Sequence, residues 1–398
     1  MDGMLNQAMA LDGVRILDLT RLLPGAFATQ MLADMGADVL KIEQPGTGDY
    51  NRAFAPIAKE ESGSFLLLNR NKRSLTLNLK SKDGKAILRD LVKDADILVE
   101  GFRPGVMERL GLSYESLREI NPGLIYCAIS GYGQTGPWRL RPGHDMNYLA
   151  EAGALQLFGK AGEGPIVPGL SIADVGGGSL MATTGVLAAL VSRGKTGKGQ
   201  FVDISMHDGA ISWLGLHGAE TLFAGIEPKG GERPFIGQAP CYNIYQCADG
   251  AYVALGIIEE HFWERFCHAF GVPELISRQW PEGEEARKQK ALLQERFLTR
   301  GRDEWLAELA PVDIPFGPVL GIEEALETPH AQERRMRLEV DHPVEGRIPQ
   351  LGFPIKLSET PASIRTPPPL LGENTDEVLA SLGYDQTRID ALRQAGTI

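Results

Sequence analysis

Strand-like and helix-like segments alternate along the first half of the chain, and this alternation limits the fold more than any other feature. The strand-like runs are Val14–Leu19, Ala37–Ile42, Asp96–Val99 and Leu124–Ser130, and the helix-like runs are Ala26–Met35, Asp83–Asp94 and Tyr114–Ile120. Strands that alternate with helices are joined by right-handed crossovers and form a parallel sheet covered on both faces. The pattern therefore predicts an α/β fold with a doubly wound large domain.

The rest of the chain has a different pattern. Three long helical patterns follow, with the strand Gln200–Ile204 between the last two: Met146–Phe158, Asp174–Arg193 and Met206–Phe223. A hairpin is predicted where two strand-like runs flank an Asp-Gly pair, namely Cys241–Cys247 and Ala251–Leu255. The helical segments Phe262–Phe270 and Glu284–Leu298 complete a predicted smaller α+β domain, and a last helix is expected near Asp376–Leu382.

The charge balance argues against two classes of partner. With 52 acidic and 40 basic residues, the chain of 398 residues has a net charge of -12. A surface this acidic has no general attraction for nucleic acid or for anionic lipid. The strongly apolar runs, such as Phe65–Leu68 and Val186–Val191, are much shorter than the roughly 20 residues that cross a bilayer. We therefore expect no nucleic-acid partner and no membrane.

Cysteine usage and the N-terminus bear on the cellular compartment. The four cysteines have no C-x-x-C spacing and no paired histidines, which argues against a metal site and for reduced thiols: Cys127, Cys241, Cys247 and Cys267. Met1–Ala10 has no basic region followed by an apolar run, so no signal peptide is expected. These features predict a cytoplasmic enzyme without a bound metal.

The common nucleotide and hydrolase signatures are absent. The chain has no G-x-x-x-x-G-K-[ST], no H-E-x-x-H and no G-x-S-x-G. The turn after the first strand is Arg21-Leu-Leu-Pro-Gly25 instead of G-x-G-x-x-G, which argues against an NAD enzyme. A nucleotide could still bind at this strand-to-helix crevice, because helix N-termini bind anions.

Basic residues cluster at two places. The first cluster contains Arg70, Lys72, Arg73 and Lys80, and the second contains Arg103 and Arg109. In an acidic protein these clusters could hold a phosphorylated ligand through charge-assisted contacts. A solvated basic face explains the same residues, so the sequence by itself leaves both interpretations open.

Two polar residues stand at unusual positions. His144 lies between a glycine and an apolar helical pattern, so backbone N–H groups of the first turn would surround it. Asp174 is a lone acid before three glycines, which allow a ligand to approach the backbone closely. A hydrogen-bonded structural histidine and a helix N-cap explain the same two residues without any function.

Six segments in order, taken together, resemble one family. They are Leu32–Glu43, Glu100–Gly105, Gly131–Pro137, Gly143–Tyr148, Ala173–Gly178 and Thr196–Gln200. The set resembles the class III coenzyme A transferases (the CaiB/BaiF-like proteins), a group that also contains α-methylacyl-CoA racemase. Each segment is a weak signal, but the ordered set is specific.

The resemblance implies a domain organisation. It implies a Rossmann-like large domain built from both ends of the chain, a small central α+β domain, two linkers and a homodimer of interlocked chains. The expected boundaries are 1–204 for the large domain, 205–237 for a linker, 238–328 for the small domain, 329–349 for the return linker and 350–398 for the C-terminal part of the large domain.

Within this group the aspartate at position 174 has two roles. In the transferases it is a nucleophile that takes the acyl group and then CoA, whereas in the racemases it is an acid/base paired with the histidine of a Gly-His-Asp motif. The chain has that motif at Gly143-His144-Asp145, and Glu259 stands where racemases carry a glutamate that supports the histidine. The chain thus resembles the racemase branch most closely, with His144, Asp174, Glu259 and Asp145 as catalytic residues.

This interpretation implies a reaction of fatty acid metabolism that inverts the α-carbon of a 2-methyl-branched acyl-CoA. His144 and Asp174 would remove and return the α-proton on opposite faces, while amide groups at the start of the Asp145 helix stabilise the enolate. No prosthetic group is implied, because coenzyme A enters as part of the thioester substrate. A class III CoA transferase is the principal alternative, and a non-catalytic acyl-CoA-binding module is a third.

The resemblance also implies a set of CoA contacts. These are Lys41, Leu77, Asn78, Leu79, Lys80, Gly101, Phe102, Arg103, Arg109, Gly143, Met146, Asn147 and Tyr148. Between Lys41 and Leu77 the chain is longer than the shortest racemases, around Gly46–Ser64. The resemblance therefore leaves open the exact adenine-side contacts around this segment, but not the pair His144 and Asp174.

Overall fold

In the computed structural model the chain divides into two units. The larger unit contains a sheet of six parallel strands. The structure describes residues 8–398, so most of the segment Met1–Ala10, where no signal peptide is expected, lies outside the described residues. The larger unit contains residues 8–149, Leu170–Ser212 and Pro329–Ile398, and the smaller unit contains Ala150–Gly169 and Trp213–Thr328.

The regular elements have the following bounds. The strands are β1 (Arg15–Leu19), β2 (Asp38–Glu43), β3 (Lys72–Thr76), β4 (Ile97–Glu100), β5 (Ile125–Ser130), β6 (Phe201–Ser205), β7 (Tyr242–Gln246), β8 (Tyr252–Gly256), β9 (Phe316–Pro318), β10 (Arg337–His342) and β11 (Gly346–Leu351). The helices are α1 (Leu22–Asp34), α2 (Gly63–Leu68), α3 (Lys82–Val92), α4 (Val106–Leu110), α5 (Tyr114–Ile120), α6 (Asp145–Glu151), α7 (Met181–Thr196), α8 (Met206–Ser212), α9 (Gly215–Ala224), α10 (Glu260–Phe270), α11 (Gly283–Phe297), α12 (Arg302–Leu309), α13 (Ile322–Glu327), α14 (Pro329–Glu333), α15 (Thr375–Ser381) and α16 (Gln386–Gln394). A π-helical segment, Ala173–Leu180, directly precedes α7, and short 3₁₀ turns occur at Tyr50–Ala53, Leu155–Leu157, Pro234–Ile236 and Pro273–Arg278.

The strand order of the large sheet is β3-β2-β1-β4-β5-β6, and every neighbouring pair is parallel. The order reverses between β1 and β4, and doubly wound folds bind ligands in the crevice at the carboxyl ends of the strands at such a point. The predicted α/β fold with a doubly wound sheet is confirmed.

The strands of this sheet are covered on both faces, which explains their continuous apolar sequences. All residues of β5 are buried, and only the first residue of β1 is exposed. The C-terminal helices α15 and α16 add Val378, Leu379 and Ile389 to the same core. The end of the chain is therefore part of the large unit.

The smaller unit is built on the antiparallel sheet β7-β8-β9. Its core is aromatic, with buried Trp263, Phe266, Phe270, Phe297 and Trp305. Strands β7 and β8 pair directly, with Gly250 between them at a φ of +83°. The predicted hairpin and the α+β character of this unit are confirmed.

The unit boundaries differ from the expected domain boundaries. Residues 150–169, expected in the large domain, belong to the smaller unit, and residues 205–212, expected in a linker, belong to the larger one. The expected return linker 329–349 carries α14 and most of the β10–β11 hairpin, which are also part of the larger unit. Most residues of these strands are exposed or half-buried, so the hairpin adds little to the buried core of the larger unit.

Two helix predictions were wrong in extent. The pattern Met146–Phe158 ends as a helix at Glu151, before Gly153 with a left-handed φ of +82°. The pattern Met206–Phe223 divides into α8 and α9 on either side of residues 213–214, at a unit boundary. The helix expected near Asp376–Leu382 is present as α15, but it is not the last helix, because α16 follows it.

One helical stretch among residues 8–398 is long and apolar enough to cross a membrane by length and composition alone, Ala173–Thr196. It contacts α1, β5 and β6 within the larger unit. Its apolar sequence is therefore explained as that of a core helix.

Gly177, in the π-helical segment, has no room for a side chain. A β-carbon there would lie 2.5 Å from the carbonyl oxygen of Met206 in α8. Gly177→Ala is expected to lower the free energy of unfolding by about 1–3 kcal/mol, as overpacking does, and urea denaturation measures this. Gly194→Ala in α7 is the control, because its β-carbon would meet no atom within 4 Å. Equal losses in both variants would contradict the close packing.

Candidate active site

A cleft of about 530 Å³ opens at the carboxyl ends of β1, β4 and β5, where the strand order reverses. Every residue that lines it belongs to the larger unit. The lining residues are Thr20, Arg21, Leu22, Pro24, Gly25, Gly101, Phe102, Arg103, Pro104, Ile129, Ser130, Gly131, Arg139, Arg141, Pro142, Gly143, His144, Asn147, Tyr148, Asp174 and Met206. The cleft thus brings together the two residues, His144 and Asp174, that the sequence singles out.

His144 directly precedes α6, and its side chain is exposed at the cleft. Its amide donates to Asn147 Oδ1 at 3.1 Å, and its carbonyl oxygen accepts from the amides of Asn147 and Tyr148. Gly143 must lack a side chain, because a β-carbon would lie 2.6 Å from Tyr148 Cε1. The Tyr148 hydroxyl donates to the Gly143 carbonyl oxygen. Backbone contacts therefore hold the loop, and the imidazole remains exposed.

Asp174 lies in the first turn of the π-helical segment, a rare geometry that is frequent at functional sites. Its amide donates to Asp145 Oδ1 at 2.9 Å, which joins it to the Gly-His-Asp motif. The N-cap of this segment is Ile172, so the interpretation of Asp174 as a helix N-cap is wrong. Burial, and then the charge of Asp145, raise the pKa of Asp174 from 3.8 to about 7. A carboxyl group with this pKa can both accept and donate a proton near neutral pH.

The raised pKa of Asp174 predicts a pH-dependent effect on stability. The folded protein binds this proton more tightly than the unfolded chain, so stability is lost as the pH rises from 3.8 towards 7 and stays constant above. The unfolding free energy of Asp174→Asn minus that of the wild type should therefore be about 2–3 kcal/mol larger at pH 8 than at pH 5. Urea denaturation at both pH values measures the difference. A pH-independent difference would contradict the raised pKa.

Two buried charged residues, Lys41 and Asp49, hold the backbone of the turn after β1. Leu22 has a φ of +64°, which a non-glycine residue rarely adopts, and its amide donates to Asp49 Oδ1 at 3.0 Å. The ammonium group of Lys41 donates to the Thr20 carbonyl oxygen at 3.0 Å and pairs with Asp49 Oδ2 at 2.9 Å. This pair therefore fixes the backbone on both sides of Arg21.

Lys41 does not line the cleft, contrary to the expected CoA contact. Its side chain is 0% exposed, and its Nζ atom is already bound to Thr20 and Asp49. Burial opposes its charge, but Asp18 and Asp49 raise the pKa of Lys41 to about 12. Burial likewise opposes the charge of Asp18, but Lys41 and Lys72 hold its pKa at about 2. Lys41 therefore supports the cleft from within the core.

Three of the four basic residues of the first cluster form ion pairs with acids of the same chain. Arg70 pairs with Asp34 at 2.7 Å, and Lys72 pairs with Asp18 at 3.2 Å, all of them buried. Arg73 pairs with Asp38 at 2.8 Å. Arg70 and Lys72 therefore neutralise buried acids, whereas Arg73 is half-buried and Lys80 is exposed.

The other predicted CoA contacts divide into two groups. The structure places Gly101, Phe102, Arg103, Gly143, Asn147 and Tyr148 on the cleft. It places Leu77, Asn78, Leu79, Lys80, Arg109 and Met146 outside the lining. Leu77 and Leu79 pack in or against the core, and Asn78 bonds to Thr397 and Gly396 near the C-terminus. Lys80, Arg109 and Met146 are exposed.

Glu100 supports the loop Gly101–Arg103, which follows β4 and lines the cleft. Its Oε2 atom accepts from the Phe102 amide at 2.7 Å, which orients the Gly101–Arg103 loop. Burial raises the pKa of Glu100 to about 8. Sequence reasoning assigned no role to this residue, because it reads as the last residue of a buried strand.

The turn Arg21–Gly25, expected as a possible nucleotide site, lines the cleft, whereas Arg139 and Arg141 were missed. The rule that ligands bind at the carboxyl ends of parallel strands, applied to the predicted strands, would also have found Ile129–Gly131. Arg139 and Arg141 lie in an irregular loop, where the guanidinium of Arg141 stacks over Trp138 at 4.7 Å. No sequence signal places this loop at the cleft.

Glu259 belongs to the smaller unit, where it is exposed and precedes α10. Its role towards His144 stays a prediction. The four cysteines are buried free thiols. Within residues 8–398, no group of three or more His, Cys, Asp or Glu side chains could hold a metal ion.

Comparison with known proteins agrees with this geometry. The sequence model of CoA-transferase family III matches residues 11–375. An acyl-CoA transferase from Fusarium pseudograminearum is 38% identical over 98% of this chain and 88% of its own length. Human alpha-methylacyl-CoA racemase is 35% identical over 96% of this chain and 95% of its own. The crystal structure of a CaiB/BaiF family protein from Brucella suis superposes with a TM-score of 0.83 and 32% identity, over 94% of this chain and 100% of that one.

The match to the family model and the match to the Brucella suis structure each extend over nearly the whole chain. The residues matched by the family model include every segment of the cleft. The chain therefore belongs to CoA-transferase family III and is an enzyme of the group that contains CoA transferases and racemases.

Proposed function

We propose that the protein is an α-methylacyl-CoA racemase that inverts the α-carbon of a 2-methyl-branched acyl-CoA. The observation that carries this proposal is that the imidazole of His144 and the carboxyl group of Asp174 line one cleft. Inversion of a carbon next to a thioester carbonyl needs one base on each face of that carbon. The Asp174 carboxyl group, whose pKa is raised to about 7, fits one of these roles, and the imidazole of His144 fits the other.

The proposed reaction has two proton transfers. One base removes the α-proton and leaves an enolate, and the other donates a proton to the opposite face of the same carbon. Depending on the enantiomer, Asp174 starts as the carboxylate or as the acid, and His144 takes the complementary state. Such positioned transfers contribute about 10²–10⁴-fold each. The cations Arg103 and Arg139 line the same cleft, where they can pair with the phosphates of CoA.

Exchange of the α-proton with solvent tests this proposal. A single enantiomer of 2-methylbutanoyl-CoA is incubated with the protein in D₂O, without any acceptor acid, and the α-proton is followed by NMR. Loss of the signal together with loss of optical purity is expected. If deuterium never enters while CoA moves to an added carboxylate, the protein is not a racemase, and binding without either reaction would favour a non-catalytic acyl-CoA-binding module.

A CoA transferase is the second candidate, favoured by the 38% identity to an acyl-CoA transferase. In this reaction the Asp174 carboxylate attacks the thioester carbonyl and releases CoA as a thiolate. The thiolate then attacks the mixed anhydride, releases the first acid and leaves a CoA thioester on Asp174, from which CoA passes to the acceptor by the reverse steps. Transfer of CoA between two isotopically distinct carboxylates measures this activity.

A homodimer is part of the same proposal, since the resemblance implies interlocked chains. Helix α9 of the smaller unit supports an interface, because Leu216, Leu222 and Phe223 are 59%, 80% and 89% exposed. Light scattering on a dilution series should give the mass of two chains throughout. A stable and active monomer would overturn this part of the proposal.

A further inference from the structure

Arg21 is a cleft residue whose charge has no carboxylate partner. It is half-buried, and its Nη1 atom donates to the hydroxyl of Tyr50 at 2.9 Å. Its guanidinium lies 5.0 Å from the ring centre of Tyr50 and 5.5 Å from that of Phe102. Within the described part of the chain, residues 8–398, no acid forms an ion pair with it, whereas nearby Arg52 pairs with Glu43.

The backbone on both sides of Arg21 is fixed. The Thr20 carbonyl oxygen accepts from buried Lys41, and the Leu22 amide donates to buried Asp49. Two aromatic rings then limit the movement of the side chain itself. A cation held in this way loses little conformational freedom when it binds an anion, which increases affinity.

The turn that Arg21 begins is also linked to the segment that carries Asp174. This turn leads to Pro24, whose carbonyl oxygen accepts from Ser179 Oγ at 2.7 Å. The same hydroxyl lies 3.2 Å from the carbonyl oxygen of Asp174. The turn of Arg21 and the segment of Asp174 are therefore joined through one side chain.

We propose that Arg21 binds a carboxylate on the acyl group, so that the substrate is the CoA thioester of a 2-methyl-branched dicarboxylic acid. This inference rests on the proposed function and deepens it. A guanidinium group binds a carboxylate through two parallel N–H···O bonds, and the Nε and Nη2 atoms of Arg21 are available for them. A purely apolar acyl chain would instead remove this cation from water without giving it an anion, which is unfavourable.

Two of the groups that hold Arg21 come from one segment of the chain. Asp49 and Tyr50 both lie within Gly46–Ser64, the segment for which the resemblance leaves the adenine-side contacts of CoA open. The structure shows that this segment reaches the cleft through Arg21.

The test compares two thioesters that differ in one carboxylate, those of 2-methylsuccinic acid (linked through the carboxyl next to the branch) and of 2-methylbutanoic acid. Calorimetry gives the ratio of their Kd values for the wild type, Arg21→Gln and Arg21→Lys. We expect the wild type to bind the dicarboxylic thioester about 10- to 100-fold more tightly and Arg21→Gln to lose this preference. Arg21→Lys should keep part of it, because the charge remains but the planar fork does not.

Arg118→Gln is the matched control. Arg118 is exposed, lies 5.6 Å from the ring centre of Tyr114, and is outside the cleft lining, so its loss changes the net charge equally. Its Kd ratio should equal that of the wild type. A wild type without preference, or an Arg21→Gln variant that keeps it, would overturn the proposal.

A CoA phosphate is the other anion that Arg21 could bind, and pantetheine thioesters, which lack the phosphates of the nucleotide part, distinguish the two. If Arg21 binds the acyl carboxylate, Arg21→Gln also abolishes the preference between the two pantetheine thioesters. If it binds a phosphate, the variant weakens both CoA thioesters equally and leaves the pantetheine thioesters unaffected, which refutes the proposal. Because a Kd ratio needs no turnover, failure of the racemase proposal in the deuterium assay remains a separate result.

Discussion

Replacement of Asp174 by asparagine is expected to lower the rate of inversion about 10²–10⁴-fold, because asparagine neither takes nor donates the proton at the α-carbon. The side chain has nearly the same volume, so the packing around the π-helical segment is preserved. The Kd of the thioester should change far less than the rate. Polarimetry for inversion and calorimetry for binding measure the two effects.

The same variant distinguishes the two candidate reactions. A racemase should keep some exchange of the α-proton for the enantiomer whose proton faces His144, although net inversion is lost for both. A transferase should instead give a covalent acyl or CoA adduct on Asp174 of the wild type, which mass spectrometry detects and hydroxylamine removes. Asp208→Asn, with a 76% exposed side chain on α8, is the control and should behave as wild type. Full inversion by Asp174→Asn would contradict the two-base mechanism.

His144→Ala is expected to have an effect of the same size on inversion, again about 10²–10⁴-fold. The enantiomer that retains α-proton exchange should be the opposite of the one that retains it in Asp174→Asn, because the two bases serve opposite faces of the carbon. Deuterium incorporation into each pure enantiomer measures this pattern.

His268→Ala is a suitable control for that experiment, since its side chain is 62% exposed in α10 of the smaller unit. A uniform loss of exchange in both enantiomers would assign His144 to positioning the substrate. Wild-type turnover in both directions would exclude His144 from the reaction.

Much of the fold is predictable from local sequence. The positions of β1 to β6 are within one or two residues of the strand-like runs wherever a run was identified, because strands buried on both faces have continuous apolar sequences. The strand β3 was not predicted, since buried Lys72 and Ser74 interrupt its apolar pattern. The charge of Lys72 is tolerated there because its ammonium group donates to the carboxylate of Asp18 on β1 and to two further oxygen atoms, those of the Ala26 carbonyl and the Asn69 side chain.

His144 and Asp174, the proposed catalytic pair, were found in the sequence through motifs, and both line one cleft in the structure. The turn that begins at Arg21 was named as a possible nucleotide site, but no role was predicted for the arginine itself, because a single arginine in a turn has no distinguishing neighbour along the chain. What distinguishes it is the contact with Tyr50 and the contacts of Asp49 and Lys41 with its flanking residues, which are many positions away.

The sequence by itself determined the alternation of strands and helices, the parallel sheet and the presence of a histidine and an aspartate in glycine-rich surroundings. These features depend on the period of apolar residues and on neighbours a few positions apart, both of which are visible in one dimension. Only the tertiary structure decided which charges meet a ligand and which meet each other. Lys41 and Arg21 are both basic residues near the ends of adjacent strands, yet one is neutralised by buried Asp49 and the other faces the cleft. Burial and pairing depend on residues distant in sequence, so the charge available to a substrate is a property of the folded chain.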